Sequence, residues 1–449
     1  KLDRLNIRLG AEASANIWLK GSDLVRGSVR VGDGNGPVPA RGLTVYVANR
    51  RIDLAPWLAL FGGGSNSTDG GGQAFPVTLA LRTDELLAFG RQLNAVRISM
   101  SPRDGGWSGR LDAREAAGAF AFDGRGEKVQ VRLSQLTLPL PRSKTDPAQN
   151  TAADNRALER LPGLDVQVER LNWHDRDVGR LGINAERQGK DIWRLDRLNL
   201  SSPDGQLQLS GVQRRDGEAL NSRLDVQMDS GNLGRFLTRV GAPEMVRGGK
   251  GKLNGQLRWH GALVDPDSAS LSGKLDLDAE NVLFTKLDPG VGRLIGLTTL
   301  QSIGRRVRFD FRDIFGEGYA FDSVRGSIGI DQGIAEISEL KARSPAATIT
   351  FAGTANLRQD SQLIRVRVEP HLSEGVAIAA GAAMLNPVIG VGALAAQKLL
   401  QDPLGKLFSV DYLVTGSLTE PQVSKADKSS PARTDSSSGN GKGKGKGHR

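Results

Sequence analysis

Four histidines (His174, His260, His371 and His448), 50 carboxylates and no cysteine are what this 449-residue chain offers for building a reactive centre. Without cysteine there is no thiol nucleophile, iron–sulfur cluster, cysteine-based zinc site or disulfide framework. The histidines are scattered, so a multi-histidine metal site is not expected. His174 and His260 each follow a tryptophan, which reads as a strand end with one residue in and one out. No Gly-x-Ser-x-Gly elbow, His-Glu-x-x-His pair or Walker loop occurs. Gly316-Glu317-Gly318 resembles the start of a dinucleotide loop, but no further glycine follows where one is needed and no βαβ unit surrounds it. The carboxylates mostly alternate with apolar residues, the pattern of a wetted strand face rather than of an acid–base pair. The chain is therefore expected to be no enzyme and to use no cofactor or metal. A glycan hydrolase on a β scaffold is the enzymatic alternative, and it would require a paired-carboxylate cleft.

The elements that would position any site are strands. Period-2 alternation runs through Leu5, Ile7 and Leu9; Val129, Val131 and Leu133; Leu164, Val166 and Val168; and Leu224, Val226 and Met228. It continues through Leu275 and Leu277; Val307, Phe309 and Phe311; Ile328 and Ile330; Ile349 and Phe351; and Ile364, Val366 and Val368. Each run has one apolar and one polar face. Turn signals separate them: Asp33-Gly34-Asn35-Gly36, Asp123-Gly124, Pro203-Asp204-Gly205, Asp216-Gly217 and Asp331-Gln332-Gly333. These suit tight hairpins, and strands so joined are antiparallel. Short helices are expected at 52–61, 83–92, 232–240 and 289–303, and flexible loops at 62–72 and 141–155.

So many strands with one apolar face and few helices to cover it leave three solutions: a closed barrel, a sandwich, or a sheet curled around something apolar. Charged residues on the other face argue against a membrane barrel, whose outer face must be apolar. The net charge of +10 raises nucleic acid or an anionic membrane as partners. Half of that excess sits in the Ser/Gly/Lys tail at 424–449, which cannot bury a core. The remaining +5 over 423 residues points to no nucleic-acid partner. The tail reads as a solvated end or a contact with an anionic surface.

One segment stands apart. Residues 375–397 carry no charge, a run long enough for a membrane span. Asn386-Pro387 breaks it, and Ala and Gly make it weakly apolar. A helical hairpin therefore fits better, either packed on the end of the sheet or dipping into a bilayer surface. Membrane contact would fall to Val376, Ile378, Met384, Leu385, Val388, Ile389, Leu394 and Lys398.

Several stretches resemble the YhdP family of AsmA-like proteins. They are 292–326 (GRLIGLTTLQSIGRRVRFDFRDIFGEGYAFDSVRG), the Ala/Gly-rich hairpin followed by Gln397-Lys398-Leu399-Leu400 and Pro403-Leu404-Gly405-Lys406, and 412–421 (YLVTGSLTEP). Residues 41–61 resemble the family's strand-then-helix unit. The resemblance implies a C-terminal portion of a long Gram-negative envelope protein and a mainly β fold. In that fold a long antiparallel twisted sheet curls into an apolar, β-taco-like groove, with short helices and a C-terminal helical hairpin. It implies a periplasmic location. Contact with the inner membrane would run through an N-terminal anchor that this chain lacks, and the far end would reach the inner surface of the outer membrane. It also implies non-enzymatic phospholipid transport, acyl chains sliding along the groove, with other envelope proteins as possible partners. The alternative is a structural or assembly factor for outer-membrane biogenesis with no lipid ligand.

The resulting organisation is a groove segment with short helical inserts at 1–140, a flexible loop at 141–156 and continued groove at 157–374. The hairpin follows at 375–406, a closing strand at 407–423 and a disordered basic tail at 424–449. The groove-lining candidates are Leu164, Val166, Val168, Leu224, Val226, Met228, Leu275, Leu277, Val307, Phe309, Phe311, Ile328, Ile330, Ile349, Phe351, Ile364, Val366 and Val368.

Overall fold

The computed structural model describes residues 2–10, 12–21, 23–53, 76–88, 91–103, 105–124, 127–138, 161–173, 176–242, 246–284, 319–371, 409–418 and 421–426. Alternation does what it should there, because successive side chains on a strand point to opposite faces. The first strands are β1 (Asp3–Leu9), β2 (Ala13–Lys20), β3 (Asp23–Gly32), β4 (Gly42–Asp53), β5 (Val77–Ala88), β6 (Arg91–Arg103), β7 (Gly106–Asp112) and β8 (Ala116–Asp123). Next come β9 (Lys128–Leu138), β10 (Gly163–Trp173), β11 (Arg176–Gln188), β12 (Ile192–Ser202), β13 (Gly205–Asp216) and β14 (Ala219–Ser230). After the helix α1 (Leu233–Arg239) follow β15 (Val246–His260), β16 (Ser272–Phe284), β17 (Tyr319–Asp331), β18 (Ile334–Arg343), β19 (Ala347–Asn356), β20 (Ser361–Pro370), β21 (Val410–Gly416) and β22 (Pro421–Lys425).

Every strand pairs with the next one in the chain, so sequence order is spatial order in a single 22-stranded sheet. Among the described residues nothing joins β1 to β22; the sheet is open and twisted, not a barrel. At about 4.8 Å per strand, it extends on the order of 100 Å along its long axis. Bulges interrupt the ladders, for example between Val168 and Leu171 and between Leu195 and Leu198, and bulges bend strands.

The sheet is not wholly antiparallel. The pairs β3–β4, β4–β5 and β9–β10 are parallel. Each parallel step falls at a connection that returns the chain to the rim it started from: 33–41, 54–76 and 139–162. The Asp33-Gly34-Asn35-Gly36 signal therefore opens a crossover, not a hairpin. That crossover lies on the polar face. There Tyr46 Oη donates to Pro37 O at 2.7 Å, and Arg30 Nη2 donates to Gly36 O at 3.2 Å. The other four turn signals close hairpins as expected.

Residues 83–88 and 91–92 do not form the expected helix. They belong to the antiparallel pair β5–β6, where Thr83 faces Val96 and Leu86 faces Leu93. Leu86 and Val96 are fully buried by that pairing, a gain that an isolated short helix cannot match. Ile52 and Asp53 likewise end β4; the rest of the 52–61 segment lies outside the described residues. The helix expected at 232–240 is present as α1, capped by Asn232 Oδ1, which accepts from Arg235 N at 3.1 Å. The expectations for 62–72, 141–155, 289–303, the hairpin and the tail lie outside the described residues, apart from Ser424, Lys425 and Ala426. No helix among the described residues is long and apolar enough to cross a membrane.

The rims differ. From β14 onward, the upper rim, where β14 ends, carries α1 and the connections 285–318 and 371–409. The lower rim carries shorter turns, the longest at 261–271.

A β-carbon at position 36 would run into the Tyr46 ring, so only glycine fits at that point of the crossover. Gly36→Leu should cost about 1–3 kcal/mol, the range for overpacking. Urea denaturation followed by circular dichroism measures it.

Candidate functional site

The register converts local alternation into long-range rows. The central row steps across all strands: Ile7, Ala15, Val29, Val45, Leu79, Met100, Gly109, Phe120, Val131, Val166 and Ile183. It continues as Leu198, Leu209, Val226, Gly255, Leu275, Ile328, Ile337, Gly353, Ile364, Val414 and Val423. No member is polar. From Ala15 to Val423 every one is half-buried, neither sealed nor open.

A second row runs two residues above, about 7 Å away. It includes Val47, Leu81, Ile98, Leu111, Leu133, Val168, Leu200, Leu207 and Met228. It then passes through Leu253, Leu277, Leu340, Phe351, Val366 and Tyr412 to a single charge at the end, Lys425. Packing along this side is continuous, because Leu111, Leu207 and Val240 each bridge two apolar clusters. Above it, Ala279, Val324, Ala342, Ile349 and Val368 form a further row that α1 covers with Leu233 and Phe236. Below the central row, Leu164, Ala185, Leu195, Leu224 and Leu257 form another.

The lower end of that wall is closed and satisfied. Trp193 Nε1 donates to Pro162 O at 2.8 Å and Trp259 Nε1 to Ala262 O at 2.9 Å. Buried Gln213 Oε1 accepts from Leu263 N at 2.9 Å.

The opposite face is charged. Arg325 pairs with Asp278 at 2.8 Å, Arg367 with Asp411 at 2.8 Å and Arg132 with Asp165 at 2.6 Å. Exposed pairs of this kind stabilise little, about 0–1 kcal/mol each, but they resist a register slip. Two exposed carboxylates, Asp276 on that face and Asp267 in the 261–271 turn, sit below the ordinary range. A hydroxyl hydrogen bond from Ser327, then one from Lys274, lowers Asp276; Ser270 does the same for Asp267. A general acid needs the opposite shift. Among the described residues no cluster of acidic and histidine side chains is arranged to hold a metal.

Of the groove-lining candidates, Val307, Phe309 and Phe311 lie outside the described residues, as do all eight membrane-contact candidates from Val376 to Lys398. The other fifteen share one face. Val166, Val226, Leu275, Ile328 and Ile364 fall in the central row. Val168, Met228, Leu277, Phe351 and Val366 fall in the row above it, and Ile349 and Val368 in the row beneath α1. Leu164, Leu224 and Ile330 lie on the lower side. Sequence reasoning missed the N-terminal stretch of the same face, Val29, Val45, Leu79, Met100 and Phe120. Interleaved Ala, Ser and Gly weaken the alternation there.

Comparison with known proteins accords with this architecture. A family model described as "YhdP protein" matches residues 1–423. The chain belongs to the YhdP family. It is 26% identical over 385 residues to "Intermembrane phospholipid transporter YhdP" of Escherichia coli (strain K12). That alignment covers 83% of this chain and 30% of the relative, so the chain spans about a third of the relative's length. No solved structure matches.

In this YhdP-family sheet the rows differ in how far they are sealed. Val168 is 2% exposed, so Val168→Asp should cost about 3–5 kcal/mol, as an unpaired buried charge does. Val366 is half-buried, and Val366→Asp should cost only ~1 kcal/mol. Equal losses in urea denaturation would mean that both positions are sealed.

Proposed function

We propose that the chain is a non-enzymatic phospholipid conduit, with acyl chains lying on the apolar face and moving along it. The observation that carries this reading is the central row, which crosses 22 strands without a polar side chain and stays half-buried from β2 to β22. A folding core would be sealed, and a wetted face would be polar. Hydrocarbon is the occupant that such a surface favours. Each CH₂ removed from water contributes about 0.8 kcal/mol, so a long acyl chain gains on the order of 10 kcal/mol. The family relative named as an intermembrane phospholipid transporter supports phospholipid as the cargo and the periplasm, between inner and outer membranes, as the location.

Lipid extraction and mass spectrometry of the purified protein test the conduit. Phospholipid should co-purify, and Val366→Asp should reduce it several-fold while the circular dichroism spectrum stays unchanged. A folded protein free of lipid would favour the structural or assembly role.

The apolar segment at 375–397 connects β20 to β21, the third- and second-last strands, at the upper rim. We infer that it meets the bilayer surface where lipid leaves the groove, with Lys398 near anionic head groups. Liposome flotation checks this. The intact protein should float, and deletion of 375–397 should abolish flotation without unfolding the sheet. Loss of the sheet on deletion would make the segment a structural cap.

A further inference from the structure

Between α1 and the start of β15 lies a recess of about 460 Å³ lined by Asn232, Arg235, Thr238, Arg239, Val246 and Arg247, together with two glycines. Three arginines line it, and two of them are held by one carboxylate. The Asp204 carboxylate, 6% exposed, accepts Arg235 Nε at 3.1 Å and also pairs with Arg239 Nε. Arg239 Nη1 donates to Asp177 O at 2.7 Å. Held through Nε, Arg235 keeps its two terminal nitrogens without a protein partner among the described residues, and Arg247 has no partner among them. One buried carboxylate against three lining arginines gives the recess a net positive charge.

The recess is also joined to the apolar face. Val246 lines it and packs into the cluster that contains Phe236, Val282 and Phe321. The helix divides in the same way: Leu233 and Phe236 turn to the apolar cluster, while Arg235, Thr238 and Arg239 turn to the recess. A cationic recess opening onto hydrocarbon fits an amphipathic anion. Guanidiniums fixed at one edge are suited to a phosphate group, whose oxygens accept paired N–H donors. We propose that this recess binds the phosphate of a phospholipid whose acyl chains lie on the apolar face beneath α1. The proposal rests on the conduit reading and adds a headgroup site to it.

Delipidated protein is titrated with fluorescent phosphatidylglycerol and with a diacylglycerol of the same chains. The wild type should bind the phospholipid about tenfold more tightly, the difference expected for charge-assisted hydrogen bonds to one phosphate. Arg235→Gln with Arg247→Gln, both at exposed positions, should remove that preference and leave diacylglycerol binding unchanged. Arg247→Gln alone, which breaks no described contact, should remove part of it. Unchanged phospholipid affinity in the variants, with both lipids bound, overturns the site but leaves the conduit standing. Failure of both lipids to bind the wild type overturns the conduit and the site with it. Inorganic phosphate bound by the wild type and lost in the variant, with no preference between the lipids, would assign the recess to free phosphate and overturn the lipid proposal.

Discussion

An open sheet with one apolar face cannot leave that face flat against water, and the rest of this molecule follows from that constraint. Strands pair in sequence order, so the face grows by one strand at a time and no second sheet folds back to cover it among the described residues. Bulges bend the strands, and the bending lowers exposure without sealing the surface. The result is a face that is half-buried along its centre and fully buried only along its flanks. Even the helix serves the same end, since α1 covers the upper flank where the sheet does not cover itself.

The opposite face makes the arrangement specific. A slip of one residue between any two strands would send every apolar side chain outward and every charge inward. Cross-strand pairs such as Arg325–Asp278 and Arg367–Asp411 sit directly opposite one another in the register, so they penalise such a slip even though each adds little stability. Glycines in the central row have a different job. A β-carbon at Gly255 would collide with the Lys274 carbonyl across the ladder, so glycine there lets the two strands approach.

Much of this was legible in the residues. The alternation at Leu164–Val166–Val168 or Ile364–Val366–Val368 specifies strand and face, and a hairpin on one side of each, to β11 and to β19, fixes one neighbour. What was not legible depended on non-local partners. Residues 83–92 read as a short helix, yet Leu86 is buried between Ile52 and Leu93, its partners on the two neighbouring strands. Asp33-Gly34-Asn35-Gly36 carries hairpin chemistry, but Gly36 is required for contact with Tyr46, a residue ten positions on. The three parallel steps were hidden for the same reason: a long connection does not announce in sequence which rim it will reach. Asp204, Arg235 and Arg247 were beyond a motif search, since a turn, a helix and a strand bring them together.

A conduit differs from a binding pocket in what its surface must avoid. A pocket gains from one deep minimum, whereas a ligand that has to move is trapped by one. The central row offers no hydrogen bond and no charge at any of its strands, so hydrocarbon meets nearly the same contacts at each step of about 4.8 Å. Dispersion and burial are non-directional, and an acyl chain sliding by one strand exchanges one set of contacts for an equivalent one. The polar groups that do lie near this face are either satisfied internally, as at Trp193, Gln213 and Trp259, or set at the rim, as at Arg235 and Arg247. On the proposed reading, a rim site would hold the headgroup in solvent while the floor stays featureless, so orientation and mobility would fall to different parts of the same sheet.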